Sequence, residues 1–507
     1  MSAPAASGDQ PRLSAAWLAR AAASPGRGPG PLLPAYQPGE HGIGIVHLGT
    51  GAFHKAHQAV YTDDVLAAQG GDWRILGVSL RSTAVADELN PQDGLYALLV
   101  RDRQTSVRVV GSIAGVVAAA RDPEPARQAL TSPSTRIVTL TVTEKAYGID
   151  RASGQVVEGH PAVAHDLQHP DRPVGVLGLL AWALKERHRL GMDPFTVLCC
   201  DNLPENGHLL RAGVLDFVRR TAPGLVAWVE DRVAFPCTMV DRITPASTAQ
   251  TLADAAAGLG CHDHAAVEAE PFSMWVIEDH FPSGRPAWEL AGALMADRVE
   301  PFERMKLRML NGAHSLLAYA GHVAGFPYVR DAMGDPVLTR VVRAYLACAA
   351  ATLDPLPGLD LERYAEALVE RFSNPAIAHE TYQIAMDGTE KLPQRILLSA
   401  VDALQGRGDV RVFAFAVAAW MRYCLGYRDD GARYELRDPR QQEIADLVQQ
   451  DMAAHDVVTA LMGLEGLFPV ELRSNDAWFR AVAGYLEVML LRGMKVALAE
   501  FPQPVSE

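Results

Sequence analysis

The chain has 507 residues, 49% hydrophobic and 21% charged, the make-up of an ordinary soluble protein and longer than one hydrophobic core usually serves. Forty-six basic against 60 acidic residues give a net charge of −14, which disfavours nucleic acid and anionic membrane surfaces and leaves a small molecule as the expected partner. No apolar run of membrane-spanning length and no secretory pattern stands out, so a cytoplasmic location is expected.

Residues 1–36, rich in Ala, Pro and Gly, read as a flexible N-terminal arm with one short helix around Leu13–Ala23. From 37 to 298, short apolar runs at 44–48, 73–78, 136–142, 195–200 and 274–277 alternate with helical patterns. This alternation predicts an α/β, Rossmann-type domain with a largely parallel sheet. The first run enters Gly49-Thr50-Gly51, and the following His-Lys-Ala-His-Gln opens a helix. Such a turn admits a dinucleotide pyrophosphate to the backbone, and the helix start supplies free N–H groups. His54 stands where the third glycine of that pattern is expected. The second run ends at Gly77-Val-Ser-Leu-Arg81-Ser82 with no acid for a ribose 2′-hydroxyl. Arg81 and Ser82 suit a 2′-phosphate, so NADP stays open beside NAD. Thr143 and Glu144 follow the third run, at the end where a parallel sheet meets its ligand. The six cysteines lack paired metal-ligand spacing and read as buried thiols, with neither a structural zinc nor a disulfide framework.

After Pro301 amphipathic stretches take over at 302–321, 335–352, 361–372, 395–405, 409–424, 440–463 and 475–497. Residues 299–507 are therefore expected to form a mostly α-helical domain that carries the catalytic and substrate groups. The stretch Met305-Lys-Leu-Arg-Met-Leu-Asn-Gly-Ala-His314 starts at the domain junction, where ligand sites tend to form. On an α-helix at about 100° per residue, Asn311 and His314 lie roughly 60° apart, with Lys306 about 80° from His314 and about 140° from Asn311. Burial of the neighbouring Met and Leu side chains would lower the lysine pKa toward that of a general base.

Gly-Ile-Val-His-Leu-Gly-Thr-Gly-Ala-Phe-His (44–54), Thr-Val-Thr-Glu-Lys (141–145), Cys-Asp-Asn-Leu-Pro-Glu-Asn-Gly (200–207), Phe-Pro-Cys-Thr-Met-Val-Asp-Arg-Ile-Thr-Pro (235–245), the 305–314 stretch and Asp-Gly-Thr-Glu-Lys-Leu-Pro (387–393) together resemble the polyol-specific long-chain dehydrogenases. That is the mannitol 2-dehydrogenase family, which includes fructuronate reductase. The resemblance runs from about residue 42 to 500. It implies a Rossmann-type domain, a helical domain, a cleft between them, and metal-independent hydride transfer with a nicotinamide cofactor.

By position, Lys306 resembles the family's general acid/base, and Asn202 and Asn311 the amides that hold the reacting oxygen. His314 and Asp241 resemble residues that place substrate hydroxyls, Lys391 a further cleft or support residue, and Gly49, Gly51, Phe53, Arg81, Thr143 and Glu144 the cofactor side. Other readings of the same residues are a salt bridge from Asp241 to Arg242, an N-cap at Asn202 and a solvated loop lysine at 391. Mannitol-oxidising members carry arginine at the position of Gln383 and histidine at that of Met386, whereas the Gln-Ile-Ala-Met-Asp-Gly wording is nearer the fructuronate branch. That branch has arginine where Glu380 stands, leaving Arg371 and Arg395 as partners for a substrate carboxylate. The expected activity is NAD(P)-dependent interconversion of a linear polyol or aldonate with its keto sugar, in a monomer or homodimer. The alternative is a non-catalytic nucleotide-binding scaffold of the same fold.

Overall fold

The computed structural model describes residues 10–23 and 30–502, in two compact units, Met1–Glu300 and Pro301–Glu507. Among the described residues, the first unit contains strands β1 (Ile43–Leu48), β2 (Arg74–Ser79), β3 (Tyr96–Val100), β4 (Ser106–Val110), β5 (Ile113–Ala118), β6 (Ile137–Leu140), β7 (Thr196–Cys199), β8 (Thr238–Asp241), β9 (Val267–Ala269), β10 (Met274–Glu278) and β11 (Leu294–Ala296). Five of them form a parallel sheet in the order β5-β2-β1-β6-β7, so the strand order reverses beside β1. Ile45, Ile137 and Leu198 face one core with Tyr61, Trp275 and Trp288. Val46, Val138 and Val197 face another with Leu180, Leu184 and Phe217. Burial on both faces is why these strands read as nearly unbroken apolar runs.

The 274–277 run does not join this sheet. It is β10, antiparallel to β8 and parallel to β11 in a separate three-stranded sheet. Strand β5, at the edge of the main sheet and mixed in burial, gave no such run in the sequence. The described part of the N-terminal arm is docked: Leu13, Trp17 and Leu18 are buried against Leu95, Leu99 and Leu259, and the Leu13 amide donates to His262 O at 2.8 Å.

The second unit is built of helices around Val410–Cys424, whose residues from Val412 to Cys424 are all buried. The expected 440–463 helix is two, Gln441–Leu447 and Ala454–Met462, and the last long one, Asp476–Arg492, stops before Gly493. Among the described residues, no helix is long and apolar enough to cross a membrane.

The expected α-helix through Lys306 is corrected in type. Helix Glu300–Met305 runs into a π-helical segment, Lys306–Asn311, and continues as helix Gly312–Val323. A second π segment, Pro393–Leu397, packs against the first. A π turn closes hydrogen bonds to the fifth residue, so the ladder is locally mismatched and a carbonyl needs another donor. Tyr345 supplies one, its hydroxyl donating to Arg395 O at 3.0 Å. Arg308, buried in the first π turn, donates to Thr352 O and Oγ1 at 3.0 Å each and to Asp402 at 2.6 Å.

Gly312 sits where the two segments meet. A Cβ there would lie 2.1 Å from the Tyr345 hydroxyl and 2.7 Å from Arg395 O. Gly312→Ala is expected to cost roughly 1–3 kcal/mol or more through overpacking, read as a lower melting midpoint of the full chain. An unchanged midpoint would contradict the close approach.

Candidate active site

In the first unit the C-terminal ends of β1, β2 and β6 open onto a cavity of about 610 Å³. Gly49, Gly51, Arg81 and Thr143 line it, with Thr50, Ser82, Lys145 and His160. Gly49 has φ +93°, and a Cβ on it would meet Thr141 O at 2.3 Å, so only glycine lets β1 turn here. The helix after the turn comes in two pieces, Ala52–Ala56 and Gln58–Gln69, broken at His57. His54, in place of the third glycine, stacks on His47 with ring centroids 3.4 Å apart. Burial lowers the His47 pKa to about 3 and holds His54 well below the ordinary imidazole range, so both rings stay neutral near neutral pH. His47 hydrogen-bonds Thr139 Oγ1 at 2.7 Å and Thr141 Oγ1 at 2.9 Å, fixing β1 to β6 beneath the turn.

Phe53 and Glu144 do not line this cavity. Phe53 packs into the core and stacks on His57, and Glu144 is exposed in an ion pair with Arg151 at 2.5 Å. Arg81 and Ser82 are exposed at its edge.

Thr143 is held at φ +73°, ψ 149°, a region that strains any residue with a Cβ. Asp201 accounts for this conformation. Its carboxylate accepts the Val142 amide at 3.0 Å, the Thr143 amide at 3.1 Å and the Tyr147 hydroxyl at 2.6 Å. Burial raises the Tyr147 pKa well above the ordinary phenol value, which keeps the donor protonated. Asn202 follows Asp201 in the exposed loop after β7. It is not the N-cap of the next helix, Asn206–Thr221, whose cap is Glu205. Asn206 anchors the loop by donating to Asp201 O at 3.0 Å and Thr238 O at 2.9 Å and accepting from the Thr238 amide at 2.9 Å. The sequence reading passed over Asp201, Tyr147 and Asn206. Asp201 and Asn206 lay inside the quoted 200–207 motif, flanking the asparagine it did mark. Asp241 ends β8 and is buried, while Arg242 spends its guanidinium on the carbonyls of Ala56 and Glu270.

In the second unit the π turn changes the geometry around Lys306. At a little over four residues per turn, about 80° each, Lys306 and Asn311 lie roughly 40° apart instead of about 140°, and His314 falls within about 20° of Lys306. All three are half-buried. Among the described residues, Asn311 Oδ1 and His314 Nε2 are buried without a hydrogen-bond partner. The His314 ring stacks on Phe372 and lies beside His379, both 5.1 Å away by centroid. Burial lowers its pKa well below the ordinary range, and His379, Arg371, Arg395 and Lys391 push it the same way.

Lys391 lies on the short helix Gly388–Leu392, not in a loop. It donates to Met386 O at 2.5 Å and stands 3.5 Å from Asp387 Oδ2, and burial lowers its pKa. Arg371 is buried at the end of helix Leu361–Phe372. Gln383 is exposed on Thr381–Ile384.

The mannitol dehydrogenase Rossmann domain profile matches residues 43–290, and the mannitol dehydrogenase C-terminal domain profile matches residues 298–490. The chain belongs to the mannitol dehydrogenase family. It is 42% identical over 461 residues to D-mannonate oxidoreductase of Escherichia coli (strain K12), covering 90% of this chain and 95% of the relative. Among solved structures it is similar to Pseudomonas fluorescens mannitol 2-dehydrogenase in a ternary complex with NAD and D-mannitol, at 35% identity and TM-score 0.75, over 96% of this chain and 99% of that one. Similarity to a substrate-free D-sorbitol dehydrogenase reaches TM-score 0.86 at 33% identity, over 92% and 97%. This family member has the Rossmann-type parallel sheet followed by helices that the resemblance implied.

Asp201→Ala would strand two amides and a buried hydroxyl and release the strained Thr143 backbone. The expected loss is about 2–4 kcal/mol, seen as a lower melting midpoint together with weaker NADH binding by fluorescence titration. Wild-type values for both would remove Asp201 from its positioning role.

Proposed function

We propose that the protein is an NAD(P)-dependent oxidoreductase that interconverts a linear polyol or aldonate with its keto sugar by metal-independent hydride transfer, with NAD as the working cofactor. The observation that carries this reading is the pair of orphaned polar atoms, Asn311 Oδ1 and His314 Nε2, on the helix face that also bears Lys306. Buried polar atoms in native proteins find partners, and a polyhydroxylated ligand provides them. Family membership, with D-mannitol and NAD held by the Pseudomonas fluorescens relative, supports the same chemistry.

The glycine turn suits a dinucleotide. Gly49 cannot carry a Cβ, Gly51 is exposed with only Gly49 O, at 3.8 Å, near its Cβ position, and Thr50 Oγ1 is buried without a partner among the described residues. Gly49–Gly51 would hold the pyrophosphate, Arg81 and Ser82 the adenosine ribose end, and Thr143 the nicotinamide side. Phe53 and Glu144 would act only from behind and beside these groups. When bound, the nicotinamide supplies the hydride acceptor or donor.

In oxidation, neutral Lys306 takes the substrate hydroxyl proton as the C–H hydride departs and the C=O bond forms. In reduction, protonated Lys306 returns it. Asn202 and Asn311 donate to the reacting oxygen as charge builds on it. His314, kept neutral, and Asp241 would receive neighbouring substrate hydroxyls. Lys391 braces the 384–387 turn through its carbonyl contacts.

A specific observation favours the acid over the neutral polyol. Arg395 is half-buried, and among the described residues its guanidinium makes one side-chain hydrogen bond, from Nη1 to Ser315 Oγ at 3.1 Å. Among the described residues it meets no carboxylate within ion-pair distance. Burial lowers its pKa, with Tyr319, Tyr345 and Asp387 opposing the shift, and Lys391 and Arg371 add positive charge around His314. An anionic substrate group would complete this cluster.

The purified protein is expected to oxidise NADH with fructuronate faster than with fructose. Absence of turnover with every keto sugar and keto acid tested, in folded protein that binds NADH, would favour the scaffold alternative. Lys306→Ala should lower kcat by roughly 10²- to 10⁴-fold with little change in NADH affinity; a raised KM with normal kcat would remove Lys306 from the base role. Arg395→Met should raise KM for the keto acid at least about tenfold and leave that for the neutral keto sugar nearly unchanged, whereas equal effects on both would count against carboxylate recognition.

A further inference from the structure

We infer that His208, Cys237 and Glu278 form a binding site for a single thiophilic divalent cation of the zinc class, separate from the proposed catalytic groups. The three residues are far apart in sequence, so no ligand spacing announces them. In the first unit their donor atoms all lie within 4.8 Å of one another. Zinc holds thiolate, imidazole and carboxylate donors at about 2.0–2.3 Å, so tetrahedral ligands stand roughly 3.3–3.8 Å apart. The remaining closure can come from the exposed His208 side chain without moving the backbone.

The other two ligands are already placed. Cys237 is buried and leads into β8, and Glu278 ends β10, the antiparallel neighbour of β8. Glu278 Oε2 accepts the Cys237 amide at 2.8 Å and Oε1 accepts the Val299 amide at 3.3 Å. Each oxygen keeps a lone pair, and the two amides fix the carboxylate in the manner of outer-shell support for a metal ligand. His208 stands in the first turn of helix Asn206–Thr221, and Asn206 ties that turn to Thr238, the residue after Cys237. The arrangement is buried on the sulfur side and open on the imidazole side, which gives the ion an entry path and leaves a fourth position for water. Binding requires the Cys237 thiol to give its proton to solvent, so affinity rises with pH. An occupied site would clamp the Asn206 helix to β8 and β10, next to the loop that bears Asp201 and Asn202.

The test is calorimetric titration of the full-length protein with zinc chloride, paired with cobalt(II) absorption. One zinc equivalent per chain is expected, weakened about 10- to 100-fold or more in both His208→Ala and Cys237→Ser. Cobalt should give a thiolate charge-transfer band that Cys237→Ser lacks. Because His208 is exposed, its alanine variant keeps the fold and serves as the decisive arm. Absence of zinc binding, affinity unchanged in His208→Ala, or a cobalt band that survives Cys237→Ser would each overturn the site.

Discussion

The arrangement at the mouth of the parallel sheet depends on one carboxylate. Asp201 gathers two amides from the end of β6 and a hydroxyl from Tyr147, and so holds Thr143 in a backbone conformation that it would not keep alone. A charge-assisted acceptor for several donors is worth more than a neutral one, which offsets strain of about 1–3 kcal/mol at a single residue. The same aspartate begins the loop bearing Asn202, and Asn206 closes that loop onto β8. The shape of the cavity wall and the position of the loop are therefore set together, by groups that need touch no ligand.

The second unit solves a comparable problem with helix type. Two π segments lie against each other, Gly312 makes the approach possible, Tyr345 donates to a carbonyl of the second segment, and Arg308 ties the first to Thr352 and Asp402. The consequence is azimuthal. The extra residue per turn swings Asn311 toward Lys306, and one face carries amine, amide and imidazole within roughly 60°.

Much of this was legible in the sequence, for definable reasons. Strands buried on both sides, such as β1, β6 and β7, declare themselves as apolar runs, and Gly49 declares a turn because no other residue fits it. Strand β5 and the separate membership of β10 were not legible, since β5 mixes buried and half-buried residues, unlike the fully buried edge strand β7, and local pattern does not say which sheet a strand joins. The π segment escaped because Met-Lys-Leu-Arg-Met-Leu has the composition of a good α-helix. Its register is imposed by Gly312 against residues far along the chain. Asp201 and Asn206 escaped for a similar reason: their partners at 142, 143 and 238 are assembled only by the sheet.

Gln383 lies exposed on a four-residue helix, with Glu380 as its equally exposed cap, while the neighbouring Thr381 is fully buried and hydrogen-bonded to Phe326 O. Exchanges at the two outward positions have little effect on stability, since the buried threonine keeps the segment anchored whatever its neighbours are. Charge and size can therefore change at these two places with no compensating changes beneath, so the sequence of this turn is free to drift while its backbone course stays fixed.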